Sequence, residues 1–221
     1  MSVTLRWFPN SWFEIVSGGT VIDIDPAILP GAHRDVPEGL HTADLVLVTH
    51  HHRDHCDVDT LERVKGPDTV VLAPKLCAAS LGGDVREVYA GEVHDEVDGV
   101  SVRVIHAFNT ATGSSTNKLH HKGECVGYVV EVGGLRLYHA GDTDLIEEMS
   151  HLGPIDVAML PVGGTFTMVA GEAAAAARLI APRIALPMHP RDTDPADFAR
   201  LLEGSGIDVT VLEPGVPLVV A

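Results

Sequence analysis

The chain has 221 residues, enough to bury a sizeable core in one domain over 1–221. Hydrophobic residues make up 45%, and no run approaches the roughly 20 apolar residues of a membrane helix. Acidic residues outnumber basic ones 31 to 15, for a formal charge of -16, a surface that repels nucleic acid and anionic membranes.

The front of the chain predicts a meander of short strands at 3–8, 12–16 and 20–25, broken by Pro9-Asn10 and Gly18-Gly19. The apolar run at 44–49 predicts a strand buried on both faces. A histidine-rich loop follows, then a helix at 57–65 capped by Asp57 or Asp59. Next come a strand at 69–73, a helix at 75–81 ending at Gly82-Gly83, and strands at 85–90, 92–97 and 100–107. Strands at 125–132 and 135–140 form a hairpin around Gly133-Gly134, and a Gly141-Asp142-Thr143 loop is expected to open a helix reaching His151. The remaining elements are strands at 157–160, 184–187 and 209–212 and helices at 171–180 and 195–202. Each half is therefore a meander followed by strand–loop–helix units. Two such halves face to face give an α+β four-layer sandwich, helices outside and two sheets inside.

Three cysteines, Cys56, Cys77 and Cys125, form no CxxC pattern and fit a reducing, cytoplasmic compartment. The N-terminus lacks the basic region, apolar run and cleavage site of a secretory leader. Histidine is the unusual count, at 13, and the histidines cluster. Thr49-His50-His51-His52-Arg53-Asp54-His55 has the pattern H-x-H-x-D-H. His50 and His52 can direct imidazoles to one side while Asp54 and His55 reach the other. Imidazole with carboxylate suits Zn, Mn or Fe, and the lack of clustered thiolates argues against an all-cysteine structural zinc site. Asp142 and His189 each follow a short apolar strand, as the first motif does, and are the candidates for further ligands.

The segments THHHRDH, HAGDTD and PMHP resemble, in the same chain order, those of the metallo-β-lactamase superfamily. The segments TNKLHHKGECVGYVVE, LYHAGDTD and LPVGGTFTM look like its small prokaryotic metal-dependent hydrolases, related to the ascorbate-6-phosphate lactonases and more distantly to the N-acyl-phosphatidylethanolamine phospholipase D. The resemblance implies the metallo-β-lactamase fold and two divalent metal ions, zinc first, with manganese or iron as alternatives. It assigns His50 and His52 to the first ion, Asp54, His55 and His189 to the second, and Asp142 as the bridge. A hydroxide between the ions is then the nucleophile, oriented by Asp54 as the catalytic carboxylate. The implied activity is hydrolysis of a small ester, lactone, amide or phosphoester. A phosphodiesterase or nuclease, or an iron redox enzyme on the same fold, is the alternative. A small-molecule substrate is the expected partner, with no nucleic acid and no membrane; a homo-oligomer is compatible with the sequence.

The chain departs from that pattern at the third ligand of the first ion. Asn109 stands where a histidine is usual, and its neutral amide oxygen is a poor zinc ligand. His120, in the loop 114–123, is favoured as the substitute; His106, or no histidine at all, is the alternative. Arg53, and Lys118 with Lys122, are candidate anion contacts. Asp25 is a candidate support for a ligand. His139 and Cys56 read as buried structural residues, and Trp7 and Trp12 as core.

Overall fold

The computed structural model describes residues 2–28 and 39–221. Strands β1 (Val3–Trp7), β2 (Phe13–Ser17) and β3 (Thr20–Ile24) form the expected antiparallel meander. Strand β4 (Ala43–Leu47) then runs parallel to β3. Helix α1 (Val58–Val64), β5 (Lys65–Ala73), helix α2 (Lys75–Leu81) and β6 (Val85–Glu87) complete the first half. The second half begins with β7 (Val93–His94), β8 (Val100–Ala107), β9 (Cys125–Val132) and β10 (Leu135–His139), all antiparallel. Strands β11 (Val157–Pro161), β12 (Ile184–Met188) and β13 (Asp208–Val209) follow in parallel, with helices α3 (Ala170–Ile180) and α4 (Pro195–Leu201) between them. Strand β14 (Pro217–Val220) returns to the first sheet and pairs with β1. The sheet orders are β14-β1-β2-β3-β4-β5-β6 and β13-β12-β11-β10-β9-β8-β7.

One apolar cluster lies between the sheets, joining Leu5, Ile15, Leu45 and Leu47 of the first to Val102, Tyr128 and Leu186 of the second. A smaller cluster, including Val46, Val48, Leu61, Val64 and Cys77, lies on the other face of the first sheet under α1 and α2. Alternate residues of β4 thus enter opposite layers, which is why its sequence reads as a continuous apolar run. On the second sheet the small side chains of Ala173, Ala174, Ala176 and Ala177 seat α3 against the core. No helix among the described residues is long and apolar enough to cross a membrane.

Three expectations are corrected. No helix opens at Gly141: residues 141–146 are irregular, and a single 3-10 turn forms at Glu147–His151. The reason is that Asp144, instead of capping a helix here, accepts hydrogen bonds from Thr110 N (2.8 Å) and Lys118 Nζ (2.8 Å). Strands expected at 85–90, 92–97 and 209–212 shrink to two or three residues, each at or beside a sheet edge where one ladder is missing. Strand β14 has no predicted counterpart. Helix α1 is capped by Asp57, whose carboxylate accepts from Thr60 N.

The topology places the site. Strand β8 is parallel to β10 through the intervening antiparallel β9, so β8, β10 and β12 all point the same way. The loops bearing His120, Asp142 and His189 therefore leave one edge of the second sheet, and the loop after β4 meets them from the first. Chemistry at the carboxyl ends of strands is the rule for sheets with parallel segments.

Candidate metal centre

The loop after β4 is held from beneath by Asp25, which is fully buried. Thr49 donates to it twice, from N to Oδ1 (2.7 Å) and from Oγ1 to Oδ2 (2.6 Å). His55 Nδ1 donates to the same Oδ2 at 2.7 Å, which leaves Nε2 as the atom turned toward a cation. Asp25 therefore fixes the orientation of the His55 ring. Asp25 itself has a left-handed φ of 52°, a conformation Asp tolerates better than most residues.

Two groups of donors result. In the first, His50 Nε2 lies 3.0 Å from His52 Nδ1, which lies 3.2 Å from His120 Nε2. Two nitrogens on one tetrahedral zinc, each about 2.0–2.1 Å from the ion, stand about 3.4 Å apart, so these spacings are close to a ligand triangle. In the second, His189 Nε2 lies 3.4 Å and His55 Nε2 3.8 Å from Asp54 Oδ2. Asp142 stands between the groups: Oδ2 is 3.5 Å from His120 Nε2 and 3.4 Å from His189 Nε2, and Oδ1 is 3.5 Å from His55 Nε2. All seven residues singled out from the sequence thus converge. His106 does not; it lines a separate cavity with Arg103, Glu148 and His151.

The donor set fits divalent cations on two grounds. The buried His55 Nε2, His189 Nε2 and Asp142 Oδ1 have no hydrogen-bond partner among the described residues, although each such atom costs about 1–3 kcal/mol. A cation between them would satisfy all three. The protonation states agree. Burial, then the charge of His55, holds the His50 imidazole well below its usual range, and burial, then His120, holds His52 at about 4, so both are neutral ligands. For Asp142 burial favours the acid, but the adjacent His189 and His55 prevail and keep it ionised. For Asp54 burial is likewise outweighed, here by the nearby His189 and then His55, and its pKa falls. His55 is pushed up against its burial by Asp142 and Asp25. Its proton on Nε2 is the one a metal would displace.

Asn109 explains how His120 gets there. Its Oδ1 accepts from His120 N (2.9 Å) and stands 3.1 Å from His120 Nδ1, while Asn109 N donates to His120 O (2.8 Å). Asn109 Nδ2 donates to Phe166 O (2.8 Å), a carbonyl that also faces His120 Nδ1 at 3.2 Å. Asn109 thus fixes His120, with Nδ1 facing two carbonyl oxygens and Nε2 turned to His52.

Two left-handed residues shape the loop after β12: His189 (φ 49°) and Arg191 (φ 48°). Such backbone costs of order 1–2 kcal/mol per residue and clusters at functional sites. Gly163 permits it, because a Cβ there would stand 2.5 Å from His189 O. Sequence reasoning missed Asn10. This residue of the Pro9-Asn10 turn donates from Nδ2 to Asp54 Oδ2 (3.0 Å), and its carbonyl accepts from His189 N (2.8 Å). The only signal was an asparagine in a turn, where φ is 77°. His139 is buried and satisfied: Nε2 donates to Ser11 O (2.9 Å) and Nδ1 accepts from Gly141 N (3.2 Å). Cys56 is buried, as read, and the other two cysteines are free and buried with it. Trp12 belongs to the core and Trp7 only borders it. Lys118 and Lys122 are occupied by Asp144 and Glu148, and His51 and Arg53 are exposed. The site opens to a cavity of about 190 Å³, with Asp54, Asp142, His52 and His120 at its floor and Leu119, Phe166 and Arg191 at its lip.

A two-sheet sandwich with a histidine–aspartate cluster at the strand ends defines a metal-dependent hydrolase of the β-lactamase type. The sequence matches the β-lactamase superfamily domain over residues 4–189. It is 36% identical to a metal-dependent hydrolase of Thermococcus onnurineus, across 96% of this chain and 97% of that one. A Parabacteroides distasonis crystal structure assigned as a metal-dependent hydrolase superposes with a TM-score of 0.87 at 32% identity, covering 96% of this chain and 93% of that one. The structure of a metallo hydrolase from Ignicoccus hospitalis gives a TM-score of 0.81 at 28% identity, covering 100% and 99%. The chain belongs to the metallo-β-lactamase superfamily, in its small prokaryotic branch of metal-dependent hydrolases.

Proposed function

We propose that the protein is a dinuclear hydrolase acting on a small ester, lactone, amide or phosphoester. His50, His52 and His120 hold one ion, Asp54, His55 and His189 hold the other, and Asp142 is shared, with zinc, manganese or iron as the metal. The observation that carries this reading is the position of Asp142, within 3.5 Å of His55, His120 and His189 at once. Two bound cations would lower the pKa of a shared water and polarise the bond to be broken. Asp54 is kept ionised and is fixed by Asn10, so it can accept a hydrogen bond from that water and orient it. The cavity of about 190 Å³ suits a small molecule, and the charge of -16 argues against a polynucleotide. The three free cysteines fit a cytoplasmic site of action, with 1–221 as one domain.

The test is metal analysis together with a small-ester and lactone panel on the zinc, manganese and iron forms. About two ions per chain are expected, and Asp142→Ala should lower occupancy of both sites. Asp54→Asn should cut kcat by about 100-fold or more with the fold retained. Near-normal kcat for Asp54→Asn at saturating metal would remove Asp54 from the chemistry.

A further inference from the structure

We infer that Arg191 is the anion-recognising residue of this site, so that the substrate carries a carboxylate or phosphate group apart from the bond that is cleaved. The inference rests on the hydrolase reading above. Among the described residues, Arg191 is the one lysine or arginine lining the cavity over Asp54 and Asp142. In this acidic chain most cations near the site are taken: Lys118 pairs with Asp144, and Lys122 with Glu148. Arg191 has no hydrogen bond or ion pair among the described residues. Its guanidinium instead lies over the Phe166 ring, 4.4 Å from the centroid. That contact takes up no protein acceptor, so the guanidinium keeps its N–H donors for a ligand.

The lip is also preorganised. Arg191 sits two residues beyond His189 in left-handed backbone, and Gly163 spares the His189 carbonyl a Cβ at 2.5 Å. Phe166, which carries the guanidinium, also supplies the carbonyl facing His120 Nδ1 at 3.2 Å. The anion contact and a metal-ligand candidate are therefore fixed by one residue. A chain of charge -16 repels anions at long range, so an anionic substrate needs a local positive group of this kind. The cavity, at about 190 Å³, is below the usual ~300–1,000 Å³ of drug-sized ligands, so both functional groups belong to one small molecule.

The test uses the metal-loaded protein and matched acyl compounds with and without a distal carboxylate. Mono-(4-nitrophenyl) glutarate and 4-nitrophenyl valerate report turnover; glutarate and valerate, titrated calorimetrically, report binding alone. The wild type should favour the distal carboxylate by about 10- to 100-fold in kcat/KM and in affinity. Arg191→Gln should bring both ratios close to one, with the turnover loss in KM. Arg63→Gln, an equal charge change on the exposed side of α1, should keep them. Ratios near one in the wild type, or unchanged in Arg191→Gln, overturn the inference. If neither ester is cleaved while glutarate still outbinds valerate only when Arg191 is present, the hydrolase reading falls and the anion site stands.

Discussion

The loop after β4 and the loop after β8 deliver histidines to the same point, but they are held by opposite means. The first is anchored by a buried carboxylate: Asp25 takes three hydrogen bonds, two from Thr49 and one from His55. The second is anchored by a neutral, partly buried amide: Asn109 clasps His120 through its side chain and its own N–H. Charge-assisted bonds are roughly twice as strong as neutral ones, and a buried acceptor of several donors is costly to remove. The first loop is thus part of the fold, and the second is a local device laid over it.

The largest expected effect follows from removing the first anchor. Asp25→Ala leaves Thr49 N, Thr49 Oγ1 and His55 Nδ1 without a buried acceptor. It should cost about 3 kcal/mol or more, a fall in Tm of about 6–12 °C, together with loss of metal from the Asp54–His55–His189 group. Thermal unfolding with metal analysis checks this; a variant retaining both Tm and metal would make the two loops equivalent. Asn109→Ala should act differently, weakening metal at the His50–His52–His120 group by about 10- to 100-fold with the second group intact. His120→Ala should reach at least the same loss, and the double variant should add little to it, because both act on one ion. Competition with a chelator reads each. Lys118→Ala removes an ion pair to Asp144 that is about one-third exposed, so solvent screens it and affinity should fall less than about fivefold. His106→Ala, on the separate cavity, should leave metal affinity unchanged. A loss there matching that of His120→Ala would move the ligand to the strand end.

The same contrast explains what was legible in the sequence. His50 to His55 are contiguous, so their chemistry is written in one stretch, and the strands beside them carry an unbroken apolar pattern. Asp142 and His189 are legible because each follows such a strand. Asn10, Asn109, Phe166 and Arg191 contribute through contacts across more than ten residues of chain, and no local pattern marks such partners. Residues 141–146 mislead for the same reason, since Asp144 bonds across to Thr110 and Lys118. Strand β14 is short, and only its pairing with β1 makes it a strand.

The anchoring of His120 also sets a clock. Between β8 and β9 the chain makes few backbone-to-backbone bonds to the rest of the fold, among them Asn117 N to Thr165 O (2.7 Å) and Thr116 N to Gly164 O (3.3 Å). Segments tied this way open locally at far lower cost than the whole molecule unfolds. An ion seated on His50, His52 and His120 would lose one of three nitrogens at each opening, whereas His50 stays fixed beside the Asp25 anchor. Its off-rate should then follow loop opening. Hydrogen exchange at the Asn109 and His120 amides should keep pace with metal exchange, and both should run well ahead of exchange in the β9–β10 hairpin.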